Sequence, residues 1–119
     1  MLPENDSTEH SQPHVLTLRF HVDARLLPAF RAFLRKAIPY YQSLPGARVR
    51  VLRDKADPSS YLEIIEYTDL SAFAADDERV RADTRMKTLL QEWRALLSSS
   101  PLTESFVEVT PLLLLPDGE

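Results

Sequence analysis

Two kinds of hydrophobic spacing alternate along this chain, and their order constrains the fold more than any other feature. From Val15 to Val22 apolar and polar residues alternate. Leu16, Leu18, Phe20 and Val22 share one face, and Val15, Thr17, Arg19 and His21 share the other. A period of two is that of a half-buried strand. After Asp23 the period changes: Leu26, Leu27, Phe30, Phe33, Leu34, Ala37, Ile38 and Tyr41 recur at three- and four-residue steps, the apolar stripe of a helix. Pro28 falls in its first turn, where a missing N–H costs nothing. Pro39 is expected to bend the helix near its end, and Pro45-Gly46 to stop it.

The second half repeats the theme with a hairpin in front. Arg48 to Arg53 alternates charged and apolar residues. Asp54 to Ser60, containing Asp57-Pro58, is a turn, and Tyr61 to Tyr67 is rich in β-branched and aromatic residues. Asp69 or Ser71 caps a second helical region that begins with Leu70, Phe73 and Ala74. A charged stretch from Asp76 to Asp83 is expected to interrupt or expose it. Met86, Leu89, Leu90, Trp93, Leu96 and Leu97 then form a clean amphipathic stripe, and Phe106 to Thr110 reads as a fourth strand. The order β-α-β-β-α-β predicts a ferredoxin-like α+β fold, a four-stranded antiparallel sheet with two helices on one face. Residues 1–13 read as a flexible N-terminal tail, 14–110 as the domain and 111–119 as an apolar C-terminal extension.

Composition removes whole classes of function. A chain of 119 residues fits one domain. A net charge of −4 argues against a nucleic-acid binder, which needs a basic face to displace counterions. The absence of cysteine excludes disulfides, thiolate nucleophiles and iron–sulfur clusters. Gly46 and Gly118 are the only glycines, too few for a dinucleotide fingerprint or a P-loop, whose backbone must wrap closely around phosphate. No cofactor and no metal site is expected: His10 and His14 stand four apart in the tail without further ligands nearby. Met1 to Pro13 resembles neither signal peptide nor anchor, and no run approaches the ~20 apolar residues of a membrane span. The expected setting is the cytoplasm, with no membrane contact.

Apolar residues on both faces of the sheet predict a partner. If Leu52 pairs with Tyr61, then Leu52, Tyr61, Ile65, Tyr67 and Phe106 fall opposite Val49, Val51, Leu62 and Ile64. A monomer would expose one of these patches, so a homodimer is expected. Leu112 to Leu115 need cover as well, either on their own domain or across to the partner.

At this point the chain resembles the dimeric α+β barrel superfamily, and within it the antibiotic-biosynthesis-monooxygenase-like domains. The resemblance covers about residues 15–110. It rests on the element order and on the segment Tyr61-Leu-Glu-Ile-Ile-Glu-Tyr-Thr-Asp-Leu-Ser-Ala-Phe73, a strand leading through an acidic turn to a helix with an early aromatic. It implies two sheets facing each other in a dimer, with a small apolar or aromatic ligand between sheet and helices of each subunit. It also implies monooxygenase activity on phenolic or quinol substrates without a prosthetic group, with Trp93 and Tyr67 as the nearest equivalents of the family's site residues. The haem-degrading members carry a histidine after the aromatic, where this chain has Ala74-Ala75-Asp76-Asp77-Glu78-Arg79. Haem ligation by that route is not expected.

The residues offer two readings of a site. Arg19 and His21, Arg48 and Arg50, Glu63 and Tyr67, and Glu108 are expected on one sheet face, with Arg50 opposite Glu63 and Arg19 within reach of Glu108 or Glu63. They form either a charge-balanced ladder or a polar pocket in which His21 is the acid/base group and Arg19 holds an anionic substrate. Trp93, Tyr40 and Tyr41 are either core or the walls of an aromatic cavity. The charges from Asp76 to Arg85 read as a solvated helix face. The catalytic candidates are therefore His21, Arg19, Tyr67 and Trp93. The leading function is a cofactor-free monooxygenase-like protein acting on aromatic or quinol molecules. The alternative is a non-catalytic ligand-binding or self-associating barrel.

Overall fold

A computed structural model describes residues 12–116. The expected tail therefore lies outside the described residues, apart from Gln12 and Pro13, and so does His10. Four strands, β1 (His14–His21), β2 (Ala47–Arg53), β3 (Ser60–Tyr67) and β4 (Leu102–Val107), form one antiparallel sheet in the order β2-β3-β1-β4. Three helices, α1 (Leu27–Tyr41), α2 (Leu70–Ala82) and α3 (Thr84–Leu96), accompany the sheet, and a short helical turn, α4 (Thr110–Leu113), follows β4. This is the ferredoxin-like α+β arrangement, with first and last strands adjacent as the topology requires.

The core lies between sheet and helices. Phe20, Phe30, Phe33, Ala37, Tyr61, Leu89 and Trp93 pack together, with Phe20 edge-on to both Phe30 and Trp93 at 5.8 and 5.2 Å. Each large apolar side chain removed from water here contributes about 1.5–3 kcal/mol. Lys36 on α1 reaches Glu92 on α3 at 2.7 Å and ties the two helices across their exposed flank.

Helix ends follow local chemistry. Asp69 caps α2 by accepting the Ala72 N–H at 2.9 Å, and Asp83 caps α3 by accepting that of Met86 at 2.9 Å. The charged stretch is largely exposed, and it interrupts the second helical region only at its last residue: α2 continues to Ala82. The break falls at the extended Asp83, whose carboxylate restarts the helix. After α1 the chain turns at Gly46, with φ +86°, where an added Cβ would lie 2.7 Å from the Thr68 hydroxyl.

The hairpin register differs from the expected one by a single residue. Asp54 accepts the Ala56 and Asp57 N–H groups, and its own N–H donates to the Ser60 carbonyl at 2.8 Å. The turn so closed sets Arg53 opposite Tyr61 and Leu52 opposite Leu62. A one-residue slip moves side chains to the other face. Val49 and Val51 therefore join Tyr61, Glu63, Ile65 and Tyr67 beneath the helices, while Leu52, Leu62, Ile64 and Phe106 share the open face. Arg50 lies opposite Ile64 and not Glu63. Arg48 and Arg50 approach Glu66 instead, at 3.8 and 3.7 Å.

The last strand also begins four residues earlier than its apolar run suggested, at Leu102. Glu108 stands just past it, its N–H held by the Pro13 carbonyl at 2.9 Å. The C-terminal leucines do not pack on their own domain: Leu113 and Leu114 are 76% and 77% exposed.

Candidate functional site

Between the sheet and helices α2 and α3 lies a cleft of about 370 Å³, within the ~300–1,000 Å³ of small-molecule sites. Its walls are mainly apolar, including Leu16, Leu18, Ile65, Met86, Leu90 and Trp93. One end is polar, where Glu63, Tyr67, Asp76 and Tyr41 line the space. Thr103 and Ser105 of β4 and Arg94 of α3 stand at its exposed rim.

Each polar group is positioned by local sequence. The strand period that points Tyr61 and Tyr67 at the helices points Glu63 the same way, so Glu63 is only 7% exposed. The Asp69 cap launches α2 back over the sheet. Phe73, in its first turn, then meets Tyr67 edge-on at 5.3 Å and stacks on His14 at 5.5 Å. One turn further, Asp76 accepts the Tyr67 hydroxyl. Asp76 also accepts two N–H groups of Arg79, at 3.2 and 3.0 Å.

Arg79 continues outward to the end of α1. It donates to the carbonyls of Tyr40 and Tyr41, at 3.2 and 2.9 Å, and to the Ser43 hydroxyl at 3.1 Å. The last carbonyls of a helix lack internal partners; this guanidinium satisfies that of Tyr41 and adds to the Ser43 donors on that of Tyr40. Its plane also lies over the Tyr40 ring, 4.7 Å from the centroid.

The electrostatics of the polar end follow from this wiring. Burial, reinforced by the Asp76 charge, pushes the Glu63 carboxyl up to about 7. Burial, and then the hydrogen bond to Asp76, holds the Tyr67 hydroxyl far above its ordinary value, so it remains a donor. Burial likewise raises Tyr41, with Glu63 and Asp76 adding to the effect.

The four sequence candidates divide between the two faces of the sheet. Tyr67 and Trp93 both line the cleft. Trp93 is at once core and wall, so both readings of it hold. Arg19 and His21 lie on the open face. Arg19 is opposite Leu62 and Leu102, and His21 is half exposed, with Nε2 3.9 Å from an Asp57 carboxylate oxygen. The sheet separates them from Tyr67.

Sequence reasoning missed Glu63, Asp76, Arg79 and Tyr41 as one cluster. Asp77, Glu78 and Arg81 do form a solvated ion-pair face. Asp76 and Arg79 turn inward, on the stripe shared with the buried Ala72. That spacing of four and seven from Ala72 was the available signal. Among the described residues no three His, Asp or Glu side chains gather as a metal site, and no helix is long and apolar enough to cross a membrane.

No family model matches the sequence, and no curated protein matches it. Solved structures do match. A protein of Nitrosomonas europaea named as a candidate antibiotic biosynthesis monooxygenase superposes with a TM-score of 0.69 at 17% identity, over 83% of this chain and 92% of that one. SnoaB, a cofactor-independent oxygenase from Streptomyces nogalater, gives 0.66 at 22% identity, over 82% and 93%. A conserved protein from Methanosarcina mazei gives 0.70 at 13%, over 84% and 96%. The fold is thus that of the antibiotic-biosynthesis-monooxygenase-like proteins, as the sequence resemblance implied.

Proposed function

We propose that this chain is a cytoplasmic homodimer that binds a small aromatic or quinol-type molecule in the cleft and oxygenates it without a prosthetic group. The observation that carries the reading is the cleft itself: apolar walls closed by Trp93, and a polar end where Tyr67, Glu63 and Asp76 converge. Fold alone hosts many chemistries; the likeness to a cofactor-independent oxygenase supports the reaction class, and the site supports the ligand class. Tyr67 and Trp93 are its proposed contacts with substrate, while Arg19 and His21 belong to the face through which subunits meet. Oxygen uptake by the purified protein, given hydroquinones and naphthols in turn, tests activity. Consumption that falls at least about tenfold in Trp93→Phe or Tyr67→Phe is expected. Stoichiometric binding without uptake would overturn catalysis and leave a carrier.

The dimer rests on the open face. Leu52, Leu102 and Phe106 are 43%, 57% and 50% exposed there, and the leucines of the turn that follows β4 are exposed as well, apolar surface of the kind that marks an interface. Light scattering of wild type at twice the chain mass, and of Phe106→Glu at the chain mass with unchanged circular dichroism, is the expected outcome. A wild-type monomer would remove the dimer from the proposal.

A further inference from the structure

Glu63 stands out because the groups around it leave it unanswered. Arg79 is the one cation at the polar end among the described residues, and a guanidinium has five N–H donors. All five are engaged: two on Asp76, two on the carbonyls of Tyr40 and Tyr41, and one on Ser43. The Tyr67 hydroxyl is likewise given to Asp76. Among the described residues no side chain or N–H donates to the Glu63 carboxylate, which nevertheless lines the cleft. Its oxygens open onto the cleft and are not sealed from it, so a ligand entering there can bring the donor that the protein does not supply.

We infer that Glu63 is the proton acceptor of the cleft, and that it selects a neutral aromatic molecule carrying an acidic hydroxyl, a phenol or an enol, over anions. The inference rests on the cleft being the ligand site. In the step, the ligand O–H bond breaks, a new O–H bond forms on the Glu63 carboxyl, and the electron pair stays on the ligand oxygen. The negative charge moves without increasing, so the enclosed site acquires no further charge to desolvate. An anionic ligand would instead add a second uncompensated charge near Asp76. Arg94, at the rim on α3, is too exposed to cancel it at depth, and Asp77, also lining the cleft, is exposed and paired with Arg81 at 3.0 Å. Tyr41 from α1 is a neutral neighbour at the same end. Because burial and Asp76 hold Glu63 near neutrality, both its forms are reached in ordinary buffers.

Calorimetric titration with 2-naphthol and with 2-naphthoate, at about pH 8.5 and about pH 5.5, reads this selection, with the indole resonance of Trp93 reporting where each probe sits. At the higher pH the wild type is expected to bind the naphthol at least about tenfold tighter. The naphthoate, an anion at both pH values, is expected to tighten as the pH falls and Glu63 takes up a proton. Glu63→Gln should admit the naphthoate equally at both. His14→Gln, which removes the imidazole stacked on Phe73, should leave the pH dependence in place. Equal binding of both probes by wild type at the higher pH overturns the role of Glu63 and leaves the ligand site standing. So does a pH dependence that survives Glu63→Gln and vanishes in His14→Gln. Neither probe binding, with the Trp93 resonance unmoved, overturns the ligand site itself and the inference with it. Should Glu63→Gln fail to fold, the carboxyl carbon resonance of Glu63 in wild type decides: it must move on naphthol binding, and a fixed resonance refutes the proposal.

Discussion

The two faces of this sheet carry similar residue types in opposite physical states. Beneath the helices, Asp76 and Arg79 are an ion pair with side chains only 12% and 13% exposed, wired to Tyr67 and to the end of α1. On the open face, Arg48 and Arg50 straddle Glu66 at longer range, with side chains 71% and 44% exposed. The closed pair is hydrogen-bonded at every position because an unpaired buried charge is very costly. The open pair is loose because water already solvates its members. Charge identity is therefore a poor guide to role here, and enclosure decides it.

Three substitutions sharpen the contrast, and the largest effect is expected from breaking the closed pair. Arg79→Ala leaves Asp76 buried without its counter-ion and takes the donor from the Tyr41 carbonyl, so a loss of about 3–5 kcal/mol in urea unfolding is expected. A loss below ~1 kcal/mol would show that water reaches Asp76 and that the closed face is open after all.

Next in size is Glu63→Gln. A carboxyl ionising at about 4.5 when unfolded and about 7 when folded binds its proton more tightly in the native state. Native stability therefore falls as pH rises from 4.5 to 7, and the full cost is present above that window. Replacing the carboxyl by the neutral amide removes a cost on the order of 3 kcal/mol at pH 8 and changes little at pH 4. Equal stability of the two proteins across that range would remove Glu63 from the enclosed set. The smallest effect belongs to Arg50→Ala, for which about 0–1 kcal/mol is expected. A larger loss in the dimer than in a dissociated Phe106→Glu background would assign Arg50 to the subunit contact.

Much of this was legible from the one-dimensional pattern. The strand periods of Leu16–Val22 and Tyr61–Tyr67, and the helical stripes from Leu26 to Tyr41 and Met86 to Leu97, are consequences of neighbouring residues alone. The site was legible only in pieces. Tyr67 and Trp93 came from the family resemblance, and both line the cleft. Glu63 reads from the sequence as a member of a ladder with Arg50 or of a polar pocket on the same face, because a strand carboxylate beside an arginine-rich strand suggests pairing; the register sets Arg50 opposite Ile64 instead. Asp76 and Arg79 were grouped with their solvated neighbours, since nothing in a run of charges says which of them turns inward.

By itself the sequence determined element order, fold class and the parity of each strand, because backbone period and side-chain polarity act over a few residues. Only the tertiary structure decided how those parities meet. The Asp54–Ser60 turn set the hairpin register, and the register sent Glu63 under the helices and Arg50 to the open face. The packing of α2 on β3 then enclosed Asp76 and consumed every donor of Arg79. A carboxylate's role depends on the donors and dielectric around it, and those arrive from distant parts of the chain.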